Sequence, residues 1–119
     1  MIESIISMEL PAGGHLAIRR NRICPEQETK QCRRISLVSG IHGDELEGQY
    51  ICYETARRVK EHPEYLKGIV DIYPALNPLG IDMASRTVPR LEMDMNRMFP
   101  GDASGDMMER ITAAVVDSI

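Results

Sequence analysis

A histidine and a glutamate, His42 and Glu45, stand with two residues between them in a glycine-containing stretch of this 119-residue chain. A neutral imidazole and a carboxylate are both ligands of divalent metals, zinc among them. Gly40 and Gly43 allow the backbone to curl so that both side chains point into one space. The pair therefore predicts two ligands of a metal site. A His-x-x-Glu pair is common by itself, and the other interpretation is that Glu45 is an acidic residue favoured at a helix N-terminus.

The surrounding pattern places this pair between a strand and a helix. Ile35, Leu37 and Val38 form a β-prone run, glycines interrupt it, and a helical pattern follows over residues 45–60, ended by Pro63. Open α/β sheets carry their chemistry at the carboxyl edge of the strands, which is where the turn lies. A phosphate-binding P-loop is disfavoured because no Gly-Lys-Ser or Gly-Lys-Thr follows the turn.

The rest of the chain predicts a mixed α/β sheet. Residues 2–10 and 15–24 are β-like on either side of the turn-forming stretch 11–14, which predicts an antiparallel hairpin. Residues 25–31 are polar and predict a loop. A strand over residues 68–73 follows the central helix, so these elements form a βαβ unit with a parallel strand pair and a right-handed crossover.

The passage over residues 77–101 is long for a connection in a compact domain, which suggests a functional role. Pro74 and the following prolines are expected to end regular structure there. The passage contains Arg86, Arg90 and Arg97, and the planar fork of arginine suits the recognition of carboxylates. The alternative is that all three arginines are surface charges.

Asp102 or Ser104 is expected to cap a last helix, whose apolar face comprises Met108, Ile111, Ala114, Val115 and Ile119. Because the sequence ends on an apolar residue of this pattern, the chain is expected to be the amino-terminal part of a larger domain. An open sheet edge would then give possible self-association.

Composition narrows the classes of function. The net charge of −4 and the pI of about 5.3, with scattered basic residues, argue against a nucleic-acid partner. The acidic amino terminus lacks the features of a signal peptide, and no apolar run reaches the length of a membrane span, so a cytoplasmic location is expected.

The cysteines and the other histidines do not extend the metal site. Cys24, Cys32 and Cys52 lack a Cys-x-x-Cys spacing and are expected to be reduced thiols. Cys52 is expected in the core, on a helix face with Gly48, Ile51, Thr55, Ala56 and Val59. His15 is expected to be a surface residue of a strand, and His62 a residue of a helix end.

Four features, in their order along the chain, resemble the motifs of the succinylglutamate desuccinylase and aspartoacylase family of zinc carboxypeptidase-like hydrolases. They are Gly40-Ile-His-Gly-Asp-Glu45, Asn77-Pro-Leu-Gly80, Arg86 and Asp94-Met-Asn-Arg-Met-Phe-Pro-Gly101. The resemblance covers roughly residues 34–101 and implies an incomplete domain of the zinc-carboxypeptidase (phosphorylase/hydrolase-like) fold.

The resemblance also implies roles for particular residues. His42 and Glu45 would bind one zinc ion, Arg86 would polarise the scissile carbonyl, and Asn96 and Arg97 would hold the carboxylate of the substrate. The implied reaction is hydrolysis of the amide bond of an N-acyl amino acid or a similar small carboxylate.

The family's third ligand, a histidine, and its general base, a glutamate, fall beyond the sequence, and neither His15 nor His62 matches the third position. The chain alone is therefore expected to be inactive. The alternatives are a metallocarboxypeptidase, a non-catalytic carboxylate-binding fragment and a purely structural fragment. Whether Asp44 orients a ligand or is a solvated turn residue stays open, as does the identity of the divalent metal.

Overall fold

The computed structural model describes residues 1–27 and 31–119, and in that part of the chain it contains four strands and three α-helices. Residues 28–30 of the predicted 25–31 loop lie outside the described residues. The strands are β1 (Ile2–Leu10), β2 (Gly14–Ile23), β3 (Arg34–Val38) and β4 (Ile69–Tyr73). The helices are α1 (Glu47–Glu61), α2 (Pro78–Asp82) and α3 (Met107–Ser118).

The strands form one mixed sheet in the order β1-β2-β4-β3. β1 and β2 are the predicted antiparallel hairpin, joined by a 3-10 turn at Pro11–Gly13, and β2 pairs antiparallel with β4. β3 pairs parallel with β4 in a register that sets Val38 opposite Tyr73. The predicted βαβ unit is thus confirmed, and the carboxyl ends of β3 and β4 lie side by side.

Alternate residues of β4 face two different hydrophobic clusters, because successive strand residues point to opposite faces of a sheet. Val70 and Ile72 pack with Cys52 of α1 on one face. Tyr73 belongs to the larger cluster on the other face, together with Leu16 and Ile18 of β2 and Met108, Ile111 and Val115 of α3. One helix therefore covers each face of β4.

Two residues of the predicted helical faces are exposed. Cys52 is buried as predicted, but Ile51 is 58% exposed because it points away from the sheet. Ile119 is 44% exposed and follows the last residue of α3, whereas Met108, Ile111 and Val115 are buried as expected.

The helix boundaries differ from those predicted. α1 begins at Glu47 rather than Glu45, so Glu45 belongs to the preceding turn. The predicted cap of the last helix at Asp102 or Ser104 is wrong, because Asp106 accepts hydrogen bonds from the N–H groups of Met108 and Glu109 in a capping box. Asp102 instead accepts from the backbone N–H and the hydroxyl of Ser104.

The prediction that regular structure ends after Pro74 was wrong for one short segment. α2 occupies five residues of this passage, with Pro78 in its first turn and the Asn77 side chain as its N-cap. This arrangement suits both residues, since proline needs no hydrogen-bond partner at a helix start.

β3 is an edge strand among the described residues, and its Ile35 is 60% exposed. No helix in the described part of the chain is long and apolar enough to cross a membrane.

Candidate functional site

The turn after β3 packs against the segment that follows β4, and two glycines permit the close approach. Gly40 has a positive φ of 72°, and a Cβ atom there would lie 2.9 Å from both Ala75 Cα and the Pro74 carbonyl oxygen. A Cβ atom on Gly43 would lie 1.9 Å from the carbonyl carbon of Gly80. The turn that carries His42 is thereby seated on α2 at the carboxyl edge of the sheet.

His42 lies between two carboxylates. Its Nδ1 is 3.0 Å from Glu45 Oε1, its Nε2 is 3.1 Å from Asp94 Oδ1, and its side chain is only 11% exposed. A neutral imidazole has one donor nitrogen and one acceptor nitrogen, so it can donate to one of these oxygens only. In the other contact, two acceptor atoms face each other and repel. Either a second ring proton or a cation between the two atoms would remove this repulsion.

Arg86 completes a group that we call the His42 cluster: His42, Glu45, Arg86 and Asp94. Arg86 Nη1 donates to Glu45 Oε1 at 3.4 Å, and Nη2 lies 3.7 Å from Asp94 Oδ2. The side chain of Arg86 is 54% exposed. The structure therefore brings three of the predicted site residues together and leaves the guanidinium open to solvent on one side.

The two predicted carboxylate-binding residues lie beside this cluster, on a 3-10 turn at Met95–Arg97. Arg97 Nε is 3.7 Å from Asp94 Oδ2, and the Arg97 side chain is 85% exposed. Asn96 is exposed, and its backbone N–H donates to Asp94 Oδ1 at 3.0 Å. Asp94 is therefore the residue that links this turn to His42.

Other candidate residues lie elsewhere. Arg90 is exposed in the turn closed by the backbone bridge between Val88 and Met93. Asp44 is exposed in the turn that follows β3. His15 is exposed on β2, within 2.9 Å of the Ser7 hydroxyl, and matches the expectation of a surface strand residue.

Asp94 belongs to one of the sequence motifs, but no role was predicted for it. The hydrogen bond from His42 is the main cause that lowers the pKa of Asp94, and the N–H of Asn96 and the charge of Arg86 act in the same direction. The carboxylate therefore stays ionised. The signal available in the sequence was an aspartate two residues before Asn96, the arrangement of a side chain that caps a turn.

A family model described as the succinylglutamate desuccinylase/aspartoacylase catalytic domain matches residues 31–118. The chain belongs to this family. The resemblance seen in the sequence motifs is thus confirmed, and so is the α/β fold class, since solved structures named as members of the family superpose on most of the chain.

Relatives of the chain are considerably longer than the chain. N-alpha-acetyl-L-2,4-diaminobutyric acid deacetylase of Halomonas elongata is 36% identical over 75 residues, which are 63% of this chain and 21% of that protein. A succinylglutamate desuccinylase/aspartoacylase structure from Rhodobacter sphaeroides has 32% identity and a TM-score of 0.72, covering 90% of this chain and 30% of the other. The product-bound ectoine utilization protein EutE of Ruegeria pomeroyi has 28% identity and a TM-score of 0.73, with coverage of 91% and 32%.

The spacing of His42 Nδ1 and Glu45 Oε1 is compatible with two ligand atoms of one metal ion. Two ligands of a tetrahedral zinc ion lie about 3.4 Å apart, given metal–ligand distances near 2.1 Å, and Nδ1 and Oε1 are 3.0 Å apart. Among residues 1–27 and 31–119, no group of three or more His, Cys, Asp or Glu side chains is arranged to hold a metal.

Proposed function

We propose that this chain forms part of the active site of a zinc-dependent enzyme that hydrolyses the amide bond of an N-acyl amino acid or a related small carboxylate. The observation that carries the proposal is the approach of His42 Nδ1 to Glu45 Oε1 with the Arg86 guanidinium beside them. Membership of the desuccinylase and aspartoacylase family supports it, and so does the relative named as a deacetylase.

His42 and Glu45 would hold the metal. When bound, zinc acts as a Lewis acid and lowers the pKa of a coordinated water to about 7. Asp94 would position the first of these ligands, because an ionised carboxylate accepts a hydrogen bond from the Nε2–H of His42 and leaves the Nδ1 lone pair directed toward Glu45. This fixes both the ring orientation and the tautomer.

Arg86 would polarise the carbonyl of the substrate. A guanidinium aimed at the oxygen on which negative charge develops stabilises the transition state by roughly 3 kcal/mol. Its contacts to Glu45 and Asp94, at 3.4 and 3.7 Å, are long and solvent-exposed, so a substrate oxygen can compete for its N–H groups.

Arg97 and Asn96 would hold the carboxylate of the substrate. The 85% exposure of Arg97 leaves its planar fork accessible to an incoming carboxylate. Because both residues are on the turn that Asp94 caps, the carboxylate-binding groups and the metal ligand would be set relative to one another by a single side chain.

The chain spans about a third of the length of the solved relatives. A catalytic zinc site requires three protein ligands and an open position, and hydrolysis requires a general base. We propose that the third ligand and the base come from outside these residues, so that the 119-residue chain binds zinc weakly and does not turn over substrate.

Zinc titration by calorimetry tests the metal site directly. We expect weak binding of one zinc ion per chain, lost in His42→Ala. His62→Ala is the matched control, because His62 also lies beside a carboxylate, with Nδ1 3.3 Å from Glu64 Oε1, and is exposed at the end of α1. Zinc binding that persists in His42→Ala would contradict the proposed site.

Activity is tested in the 119-residue chain and in the longer parent protein that we infer from the length of the relatives, each with added zinc. The substrates are N-acetyl-2,4-diaminobutyrate, N-succinylglutamate and an N-acylaspartate, with a peptide ending in a free carboxylate as the carboxypeptidase control. We expect turnover of an N-acyl amino acid by the parent only. Turnover by the chain alone, abolished in His42→Ala, would contradict the proposed dependence on outside residues.

A further inference from the structure

Asn77, which the proposed chemistry does not use, is a polar residue that is only 1% exposed. Its position lies between β4 and α2, and the turn of His42 packs directly against it. Buried amides are retained where their hydrogen bonds are made, so the partners of this side chain indicate its role.

The Asn77 side chain contacts three separate backbone segments. Its Nδ2 donates to the carbonyl oxygen of Ile41 at 3.3 Å and to that of Thr87 at 3.3 Å. Its Oδ1 accepts from the N–H of Gly80 at 2.9 Å. Ile41 precedes His42 and Thr87 follows Arg86, so one amide group joins the segments that carry two of the proposed site residues.

The neighbouring backbone bonds reinforce this junction. The N–H of Asn77 donates to the Gly40 carbonyl at 2.7 Å, the N–H of Gly43 donates to the Ser85 carbonyl at 2.8 Å, and the N–H of Ser85 donates to the Gly80 carbonyl at 2.8 Å. The turn that carries His42 and the segment that carries Arg86 are thus connected by hydrogen bonds through the start of α2 and through the Asn77 amide.

A helix cap alone does not explain this arrangement. Capping uses the side-chain oxygen, and aspartate or serine would serve about as well as asparagine at that position. The two bonds donated by Nδ2 require an amide, since a carboxylate or a hydroxyl at this place cannot donate twice.

We propose that Asn77 is a positioning residue that clamps the His42 turn to the Arg86 loop, so that the proposed metal ligand and the proposed carbonyl-polarising group stay opposite each other. This inference deepens the proposed function and rests on it for its chemical meaning. The clamp itself is a property of the backbone and can be measured without metal or substrate.

Amide hydrogen exchange in the full 119-residue chain tests the clamp. Asn77→Asp keeps the shape and the capping oxygen but replaces the donor with an acceptor facing two carbonyl oxygens. We expect the Gly43 and Ser85 amides to exchange roughly tenfold faster than in the wild type, while amides of β3 and β4 change by no more than about twofold. Asn77→Ser, which is neutral and also keeps a capping oxygen, gives a second test if the buried charge prevents folding.

Gly80→Ala provides an independent variant that does not change the identity of residue 77. A Cβ atom there would lie 2.3 Å from Asn77 Nδ2 and would displace the amide, although alanine is the better helix former. The clamp predicts faster exchange at Gly43 and Ser85, whereas helix propensity alone predicts slower exchange. Slower or unchanged exchange at both amides would overturn the proposal.

Thr112→Val is the control for general destabilisation. Thr112 is fully buried and donates to backbone carbonyls, but it lies on α3. We expect its loss to leave the exchange of Gly43 and Ser85 unaffected relative to the sheet. If Asn77→Asp and Thr112→Val give the same pattern, the effect of Asn77 is only structural stability and the proposal fails.

Zinc affinity supplies the link to function. We expect Asn77→Asp to weaken zinc binding by roughly tenfold without a change in stoichiometry, and equal affinity in variant and wild type would contradict the positioning role. If the wild type binds no zinc, the proposed function fails, and the exchange measurement still decides whether the clamp exists.

Discussion

Two ionic clusters of this chain differ in how fully their charges are satisfied. In the first, which we call the Asp71 cluster, Asp71 has no exposed side-chain surface and accepts two hydrogen bonds from Arg22, at 2.8 and 2.7 Å. Arg20 and Arg34 lie 3.8 and 3.9 Å from the same carboxylate. In the His42 cluster, contacts range from 3.0 to 3.7 Å, and Glu45 is 60% exposed.

The difference follows from where each cluster lies. Asp71 and Arg22 are paired residues of β4 and β2, so their backbones are fixed by the sheet and their side chains share one face. The His42 cluster is assembled from a turn, a loop and the start of a 3-10 turn. A sheet fixes a bidentate pair closely, whereas loops at its edge hold charged groups near each other and leave them accessible.

The comparison separates stability from binding capacity. A buried carboxylate that already accepts a bidentate arginine has little remaining affinity for a ligand, and loss of its partner leaves an uncompensated charge. Exposed charges with long contacts contribute little to folding but retain lone pairs and N–H groups for a ligand.

The largest expected effect is the loss of the buried carboxylate. Asp71→Ala should lower the free energy of unfolding by about 3–5 kcal/mol, because it leaves Arg22 and the nearby arginines without their common partner. Chemical denaturation measures this loss. Asp117→Ala, an exposed aspartate on α3, should change it by no more than about 0.5 kcal/mol. Equal effects of the two variants would remove the distinction between the clusters.

A smaller but substantial effect on stability is expected at Gly43, where the turn that carries the His42 cluster is tightly packed. Gly43→Ala should cost about 1–3 kcal/mol, because the new methyl group would overlap the carbonyl of Gly80. Gly13→Ala is the control, since Gly13 has a positive φ of 75° but nothing within 4 Å of its Cβ position. Only Gly43→Ala should also weaken zinc binding, as measured by calorimetry.

The pH dependence of stability sharpens the contrast further. Burial alone raises the pKa of Asp71, but the hydrogen bonds and charge of Arg22, with the charges of Arg20 and Arg34, hold it below its ordinary value. The unfolded chain therefore binds more protons than the folded chain in acid, so stability is lost as pH falls through the folded pKa. Asp71→Asn should make the stability curve between pH 5 and about 2 flatter, measured by denaturation at each pH. An unchanged slope would contradict this origin.

Features encoded by neighbouring residues were accessible from the sequence. The hairpin followed from the turn residues between two β-like runs, and the His42 turn followed from glycines at the end of a strand. The true cap of α3 was also encoded locally, since Asp106 and Glu109 have the spacing of a capping box, although the predicted cap was Asp102 or Ser104. Asn77 before a proline likewise marks the start of α2.

Features that depend on tertiary contacts were not accessible. Asp71 and Arg22 are 49 positions apart, and nothing in the sequence indicates that they face each other across paired strands. Asp94 is 52 positions from His42, and its role depends on how a long passage folds back over the turn. The sequence motifs predicted three of the four residues of the His42 cluster, while their mutual contacts required the fold.

The smallest expected effect on stability is that of His42, the central residue of the His42 cluster. Without metal, His42→Ala should change the free energy of unfolding by about 1 kcal/mol or less, because its ionic contacts involve exposed or loop-borne partners. A ligand that binds only the folded state adds stability, about 1 kcal/mol at five times its Kd. Zinc should therefore stabilise the wild type in denaturation experiments but not His42→Ala, while His62→Ala should respond as the wild type does. A large metal-independent loss in His42→Ala would place the His42 cluster in the same class as the Asp71 cluster, and a zinc response that persists in His42→Ala would locate the binding elsewhere.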